Sequence, residues 1–204
     1  ENGMLVWRGV TPSNYYTAAS VAAIIAALGL MTLPINLIGY RERGVLRRFR
    51  ASSVSTSTLV GAQLMLALLT FLAGVVIMAI VARLAYGAML PEDPVGVVVA
   101  LLFGTAAFGA IGLLLATAMR SSRSALGIGL LLFLGLWLIS GTAPPRAVLP
   151  SALREFGGVL PLAPLVTAIQ DPWFGFGWSG RDLGVLAIYA VVAGAPALRF
   201  FRWD

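Results

Sequence analysis

The chain has no cysteine, no histidine and no lysine among its 204 residues. Without cysteine there are no disulfides and no thiolate chemistry, and without histidine there is no imidazole metal site, so no catalytic residue and no metal ligand is assigned. Without lysine the chain cannot form a Walker A phosphate loop, which needs that side chain after its glycines; it is not itself a P-loop ATPase. Charge of either sign is scarce, with 11% of residues charged against 59% hydrophobic. A water-soluble fold of this length is excluded by that balance.

What is present is long apolar sequence. Thr17–Ile38, Leu59–Ala82, Val95–Ala118 and Ala125–Ile139 contain no charged residue at all. The first three exceed the roughly 20 residues a helix needs to cross a hydrocarbon core, and the fourth reaches it by including Ser124, Ser140 and Gly141. A fifth run, Leu183–Leu198, is shorter and flanked by charge. The fold class expected is an all-α polytopic membrane protein with five spans, residues 1–204 forming a single transmembrane domain.

The net charge of +6 is entirely arginine and sorts by loop. Arg41, Arg43, Arg47, Arg48, Arg50, Arg120, Arg123, Arg199 and Arg202 fall on one side, with only Glu42 and Asp204. The other side carries five arginines and six acids. Such asymmetry is read as topology rather than as a nucleic-acid surface, so no nucleic-acid partner is expected. The arginine-rich side is assigned to the cytoplasm, with the C-terminus inside and the N-terminus and residues 141–180 outside. Residues 1–13 contain no signal peptide, so an external N-terminus implies an earlier span that carried it across, making six in the full protein; a cleaved signal is the alternative.

Within the first run, Ala18, Ala22, Ala26 and Ala19, Ala23, Ala27 form small-residue rows that allow close helix packing in lipid, including at a subunit interface. Pro34 is expected to kink this span near its cytoplasmic end. Asn36, and Gln63 at the matching depth of the next run, either reach headgroups or cap neighbouring backbone; an inner gate is the second reading. Arg83 lies close to an outer end, where it can snorkel. Proton-coupled carriers and membrane hydrolases keep ionisable residues within their spans, and these spans have none, so the energy for any transport is expected from another subunit. Sodium coupling through backbone carbonyls stays open.

The segment Tyr40–Arg50 places Val45, Leu46 and Phe49 on one helical face and arginines around the rest, an amphipathic pattern followed by a hydroxyl-rich turn, Ser52–Thr58. It serves either as a positive-inside anchor, each arginine contributing about 1 kcal/mol near anionic lipid, or as a protein-docking element. Arg41-Glu42-Arg43-Gly44-x-Leu46-Arg47-Arg48 with its Ser/Thr turn resembles the loop after the second span of type-2 ABC exporter permeases. Arg120-Ser121-Ser122-Arg123 is similar to that family's short basic turn between its fourth and fifth spans. Leu138-Ile139-Ser140-Gly141, then Pro144, Leu149-Pro150, Leu153 and Leu160-Pro161-Leu162, resembles its outer segment. Val45 and Tyr40 depart from the family pattern, where Thr and an acidic residue are common.

The resemblance implies that residues 41–58 form a cytoplasmic coupling loop seated on a separate ATPase subunit. Arg41, Glu42, Arg43 and Arg47 would form its charge pairs and Leu46 and Phe49 its groove-filling contacts, with Gly44 in the same coupling set. It also implies that residues 149–168 form an outer re-entrant hairpin, with Pro150, Leu160, Pro161 and Leu162 at an outer gate and the leucines facing the centre of a dimer. Prolines 150, 161 and 164 divide this stretch into pieces too short to span. Arg154 and Glu155 are expected at headgroup level, where they can pair, and Trp173, Phe174, Phe176 and Trp178 in an outer aromatic belt.

The partners implied are two copies of an ABC ATPase subunit, a second permease copy (the same chain or a related one) and membrane lipid. This chain would bind no cofactor, ATP and Mg belonging to the ATPase. The location implied is a bacterial plasma membrane. Uncharged spans carrying Phe71, Phe103, Phe108, Phe133 and Trp137 suit a hydrophobic or amphipathic cargo such as a drug or lipid; polysaccharide export, and a non-transporting scaffold, are the other readings.

Overall fold

The structure is a computed structural model and describes residues 6–44 and 56–200. Those residues form helices and turns, with no strand among them. Five helical segments are long and apolar enough to cross a membrane. The first span is Pro12–Glu42. The second lies within the helix Thr56–Tyr86, and Pro94–Ala118, Ser122–Ile139 and Gly180–Phe200 follow. The five apolar runs of the sequence therefore become the five candidate spans.

Their starts are set locally. Thr11 caps the first span and Pro12 occupies its first turn, where the missing N–H costs nothing. Asp93 and Pro94 repeat this arrangement for the third span, with Gly96 N–H donating to Asp93 Oδ1 at 3.0 Å. Ser121 caps the fourth, accepting from Ser124 N–H.

The third span is the central pillar. Of its most apolar window 61% is buried, against 11% for the second and fourth spans. It packs most extensively along the fifth span and also touches the first, the second and the helix Leu162–Trp173. Small residues make this possible: Ala100, Ala107 and Ala116 are buried, and Gly104 leaves room for the Leu165 side chain. The fourth span rests mainly on the first.

The first span is not one regular helix. Pro34 was expected to kink it near its cytoplasmic end, and a π-helical turn, Leu28–Thr32, precedes the proline. Proline lacks an N–H and crowds the carbonyl four residues back, and the widened turn relieves both. Leu33 N–H accordingly reaches back five residues to Leu28 O.

Between the fourth and fifth spans the chain forms two short helices, Ser151–Val159 and Leu162–Trp173, bent by 86° at Leu160–Pro161. Two short pieces broken by proline were expected, but over 149–168. The second helix runs on to Trp173 because Pro164 sits in its first turn, where proline is tolerated, and does not divide it. Two side-chain expectations also change. Trp173 and Phe174 are core residues rather than belt residues; only Phe176 and Trp178 are exposed. The Trp173 indole N–H instead donates to Met89 O at 3.2 Å. Arg154 and Glu155 are exposed and do not pair; Arg8–Asp171 is the ion pair found among the described residues.

Candidate functional site

Three places along the molecule gather polar groups: the Arg41 end, the break in the first span and the opposite end near Arg8.

At the Arg41 end the first span finishes at Glu42, and Arg43 and Gly44 form the turn that leaves it. Gly44 has φ +69°, a left-handed conformation that glycine adopts without strain, and its N–H closes on Arg41 O at 3.0 Å. The Arg43 side chain folds back, its Nε donating to Gly39 O. Arg41 donates to Met119 O at 2.5 Å, where the third span ends. Glu42 accepts from both the N–H and the hydroxyl of Ser122, at 3.0 and 2.8 Å. Of the residues expected to couple to an ATPase, Arg41, Glu42, Arg43 and Gly44 lie at this span end, and the first three bond within the chain. Leu46, Arg47 and Phe49, with the apolar face drawn through Val45, lie outside the described residues, as does most of the Ser52–Thr58 turn.

At the break, three glycines replace side-chain contact with backbone contact. A Cβ on Gly112 would collide with Gly29 O, one on Gly129 with Leu30 O, and one on Gly29 with the Phe108 backbone. The third and fourth spans therefore approach the two carbonyls that the π turn and Pro34 perturb. Beside them a cleft of about 220 Å³ lies between the first and second spans, lined by Thr32, Asn36, Leu66, Thr70 and Phe71 among others. Asn36 is exposed at this cleft, which agrees with either of its readings. The Gln63 side chain lies outside the described side chains. Deeper in, a pocket of about 20 Å³, room for one water, is lined by Thr105, whose buried hydroxyl has no hydrogen-bond partner among the described residues. Of the aromatics noted in the spans, Phe108 and Phe71 are both buried; Phe108 lines the smaller pocket and Phe71 lines both spaces.

At the opposite end a connected network closes the fold. Arg8 donates to Gln170 Oε1 at 3.1 Å and pairs with Asp171 at 2.5 Å. Buried Gln170 in turn donates to Tyr15 O, and the Tyr15 hydroxyl donates to Gly141 O at 2.7 Å. One chain of bonds thus joins the N-terminal turn, the first span, the end of the fourth span and the Leu162–Trp173 helix. Sequence reasoning missed all of its polar members; the available signal was Gln170, a lone amide closing the apolar stretch Leu162–Ile169. Of the residues expected at an outer gate, Pro150 is exposed, Leu160 is half-buried at the break, and Pro161 is buried. Leu162, expected to point out toward a dimer centre, is instead fully buried within the core of this chain. The reason is the 86° bend, which turns this helix back onto the first and third spans.

A second and larger groove, about 530 Å³, opens at this end between Ser13, Tyr16, Thr17 and Ser20 of the first span and Gly74 to Tyr86 of the second. Among the described residues no cluster of acidic side chains could hold a metal ion.

Five apolar spans, a proline-broken helix pair and apolar grooves between spans define a polytopic helical membrane protein built around inter-helix clefts. The profile of ABC-2 family transporter proteins matches residues 10–199, and the chain belongs to that family as its membrane component. No curated protein matches it.

Proposed function

We propose that this chain is the permease subunit of an ATP-driven exporter, moving a hydrophobic or amphipathic molecule out of the cytoplasm. The observation that carries this reading is the family match over residues 10–199 in a chain that has no lysine for a phosphate loop. Energy then comes from a separate ATPase subunit, present in two copies, which holds ATP and Mg; two permease chains complete the transporter. The Arg41 end faces the cytoplasm in this reading, in keeping with its charge. Movement of the ATPases reaches the membrane through the loop that begins at Arg41–Gly44, and the bent helix pair covers the exterior side. The grooves beside the second span are apolar with a few hydroxyls, a lining that suits a lipid-like or drug-like cargo better than a strongly charged one.

The test uses inverted membrane vesicles from cells making the permease with its ATPase. ATP-dependent uptake of a fluorescent phospholipid analogue or an amphipathic dye, together with co-purification of the ATPase, is the expected result. Co-purification of other membrane proteins without an ATPase, and no uptake, would favour the scaffold reading.

A further inference from the structure

Glu42 is the last residue of the first span, and both of its carboxylate oxygens are engaged by one residue of another span. Ser122 is the first residue of the fourth-span helix, so its N–H is one of those that a helix leaves without an internal partner. A carboxylate there also meets the positive end of the helix dipole. Ser121 already caps Ser124 N–H, so Glu42 supplies a second cap from a distant part of the chain. Its neighbour Arg41 holds Met119 O, on the other side of the Arg120–Ser121 turn. Both ends of the connection between the third and fourth spans are therefore held by two consecutive residues of the first span.

The same two spans meet again further in. Ala125 is buried among Leu33, Leu37 and Ile38, and Gly129 approaches Leu30 O. Between these contacts and its far end at Ser140–Gly141 the fourth span is largely exposed, so it is fixed at its two ends, and this is the one next to Gly44. Gly44 then turns the chain away two residues after Glu42.

We infer that Glu42, with Arg41, is a positioning residue that ties the start of the fourth span to the end of the first, so that the two move as one body when the loop beyond Gly44 is displaced. The inference rests on the reading of the chain as an ATPase-driven permease. In it the Glu42 carboxylate serves an internal joint, and the arginines further along the loop are left to meet the ATPase.

The experiment compares Glu42→Ala, Glu42→Gln, Ser122→Ala and the Glu42→Ala/Ser122→Ala double variant in the complete permease–ATPase complex. Two quantities are read: the ATPase retained on the purified permease, and ATP turnover of the complex in liposomes. Glu42→Ala is expected to retain the ATPase but lower turnover about fivefold, a change of about 1 kcal/mol by the rate relation. Glu42→Gln, which keeps one acceptor oxygen, should recover at least half of the loss. Ser122→Ala should have a smaller effect, and the double variant should match Glu42→Ala. Loss of the ATPase from Glu42→Ala would overturn the inference in favour of direct docking, as would unchanged turnover or effects of the two single variants that multiply. Independently, Glu42→Cys with Ser122→Cys in this cysteine-free chain should cross-link readily and keep its turnover; cross-linking that abolishes turnover would overturn the idea of a single moving body. A wild-type permease that retains no ATPase removes the functional reading and this inference with it, even where the cross-link forms.

Discussion

Gly112 of the third span lies against the carbonyl oxygen of Gly29 in the first span so closely that no side-chain carbon fits between them. Gly129 stands in the same relation to Leu30 O. Adding a methyl group at either position must push two backbones apart, because neither partner is a flexible side chain. Gly112→Ala and Gly129→Ala should each cost about 1–3 kcal/mol, the range for overpacking. Gly127 has open space around it, so Gly127→Ala should leave stability unchanged or slightly raised. Thermal unfolding of the three variants in one detergent checks this; equal behaviour of all three would show that the contact does not hold.

Arg8 combines a charge pair with a left-handed backbone, φ 60°. The pair is partly exposed, so its electrostatic share is small. The bond to buried Gln170 matters more, because without it the amide oxygen is left unsatisfied. Arg8→Ala is expected to cost about 1–2 kcal/mol. Arg8→Gly loses the same contacts but relieves the backbone, and should be less destabilising than Arg8→Ala by about 1 kcal/mol. Unfolding midpoints of the two variants decide the order.

Asp93 sits outside the spans and titrates in a defined direction. Hydrogen bonds from the Gly96 N–H, and then from the Trp178 indole, hold its carboxyl below the ordinary value of 3.8. A depressed carboxylate stabilises the fold fully above that ordinary value, and the contribution is lost as pH falls through the lower folded value. Fluorescence attributable to Trp178, obtained by difference from Trp178→Phe, should change with a midpoint below the ordinary value of 3.8. Asp93→Asn should abolish that transition. A change centred above pH 5 would contradict the arrangement.

Topology can be read directly because the chain has no cysteine. Arg47→Cys and Arg120→Cys should be protected from an impermeant thiol reagent added to intact cells, whereas Glu92→Cys and Arg154→Cys should label. Labelling at position 47 would reverse the orientation.

The spans were legible in the sequence because lipid imposes one requirement, uninterrupted apolar length, that composition records residue by residue. The break in the hairpin was legible at Leu160–Pro161 for a similar reason, since proline acts locally. The extent of the second hairpin helix was not, because Pro164 breaks or starts a helix depending on where the helix begins. Long-range polar pairings were the least legible. Nothing in the local pattern around Glu42 announces Ser122, eighty residues away, and Arg8 and Gln170 are further apart still. Such partners are set by how helices pack, and helix packing depends on glycines whose neighbours the sequence does not name.

The second span is thinly held, with 11% of its most apolar window buried. Among its described side chains Phe71 is the only large one that is buried. Fifteen residues separate Phe71 from Thr56 and fifteen from Tyr86, arms of about 22 Å each at helical rise. Leu72, Val75, Met78 and Ala79 pack beside it against the same core, so the hold on this helix runs from Phe71 toward the Tyr86 end. The smaller cleft is walled by Leu66, Thr70 and Phe71 and the larger groove by residues from Gly74 to Tyr86, so one helix forms a wall of both spaces.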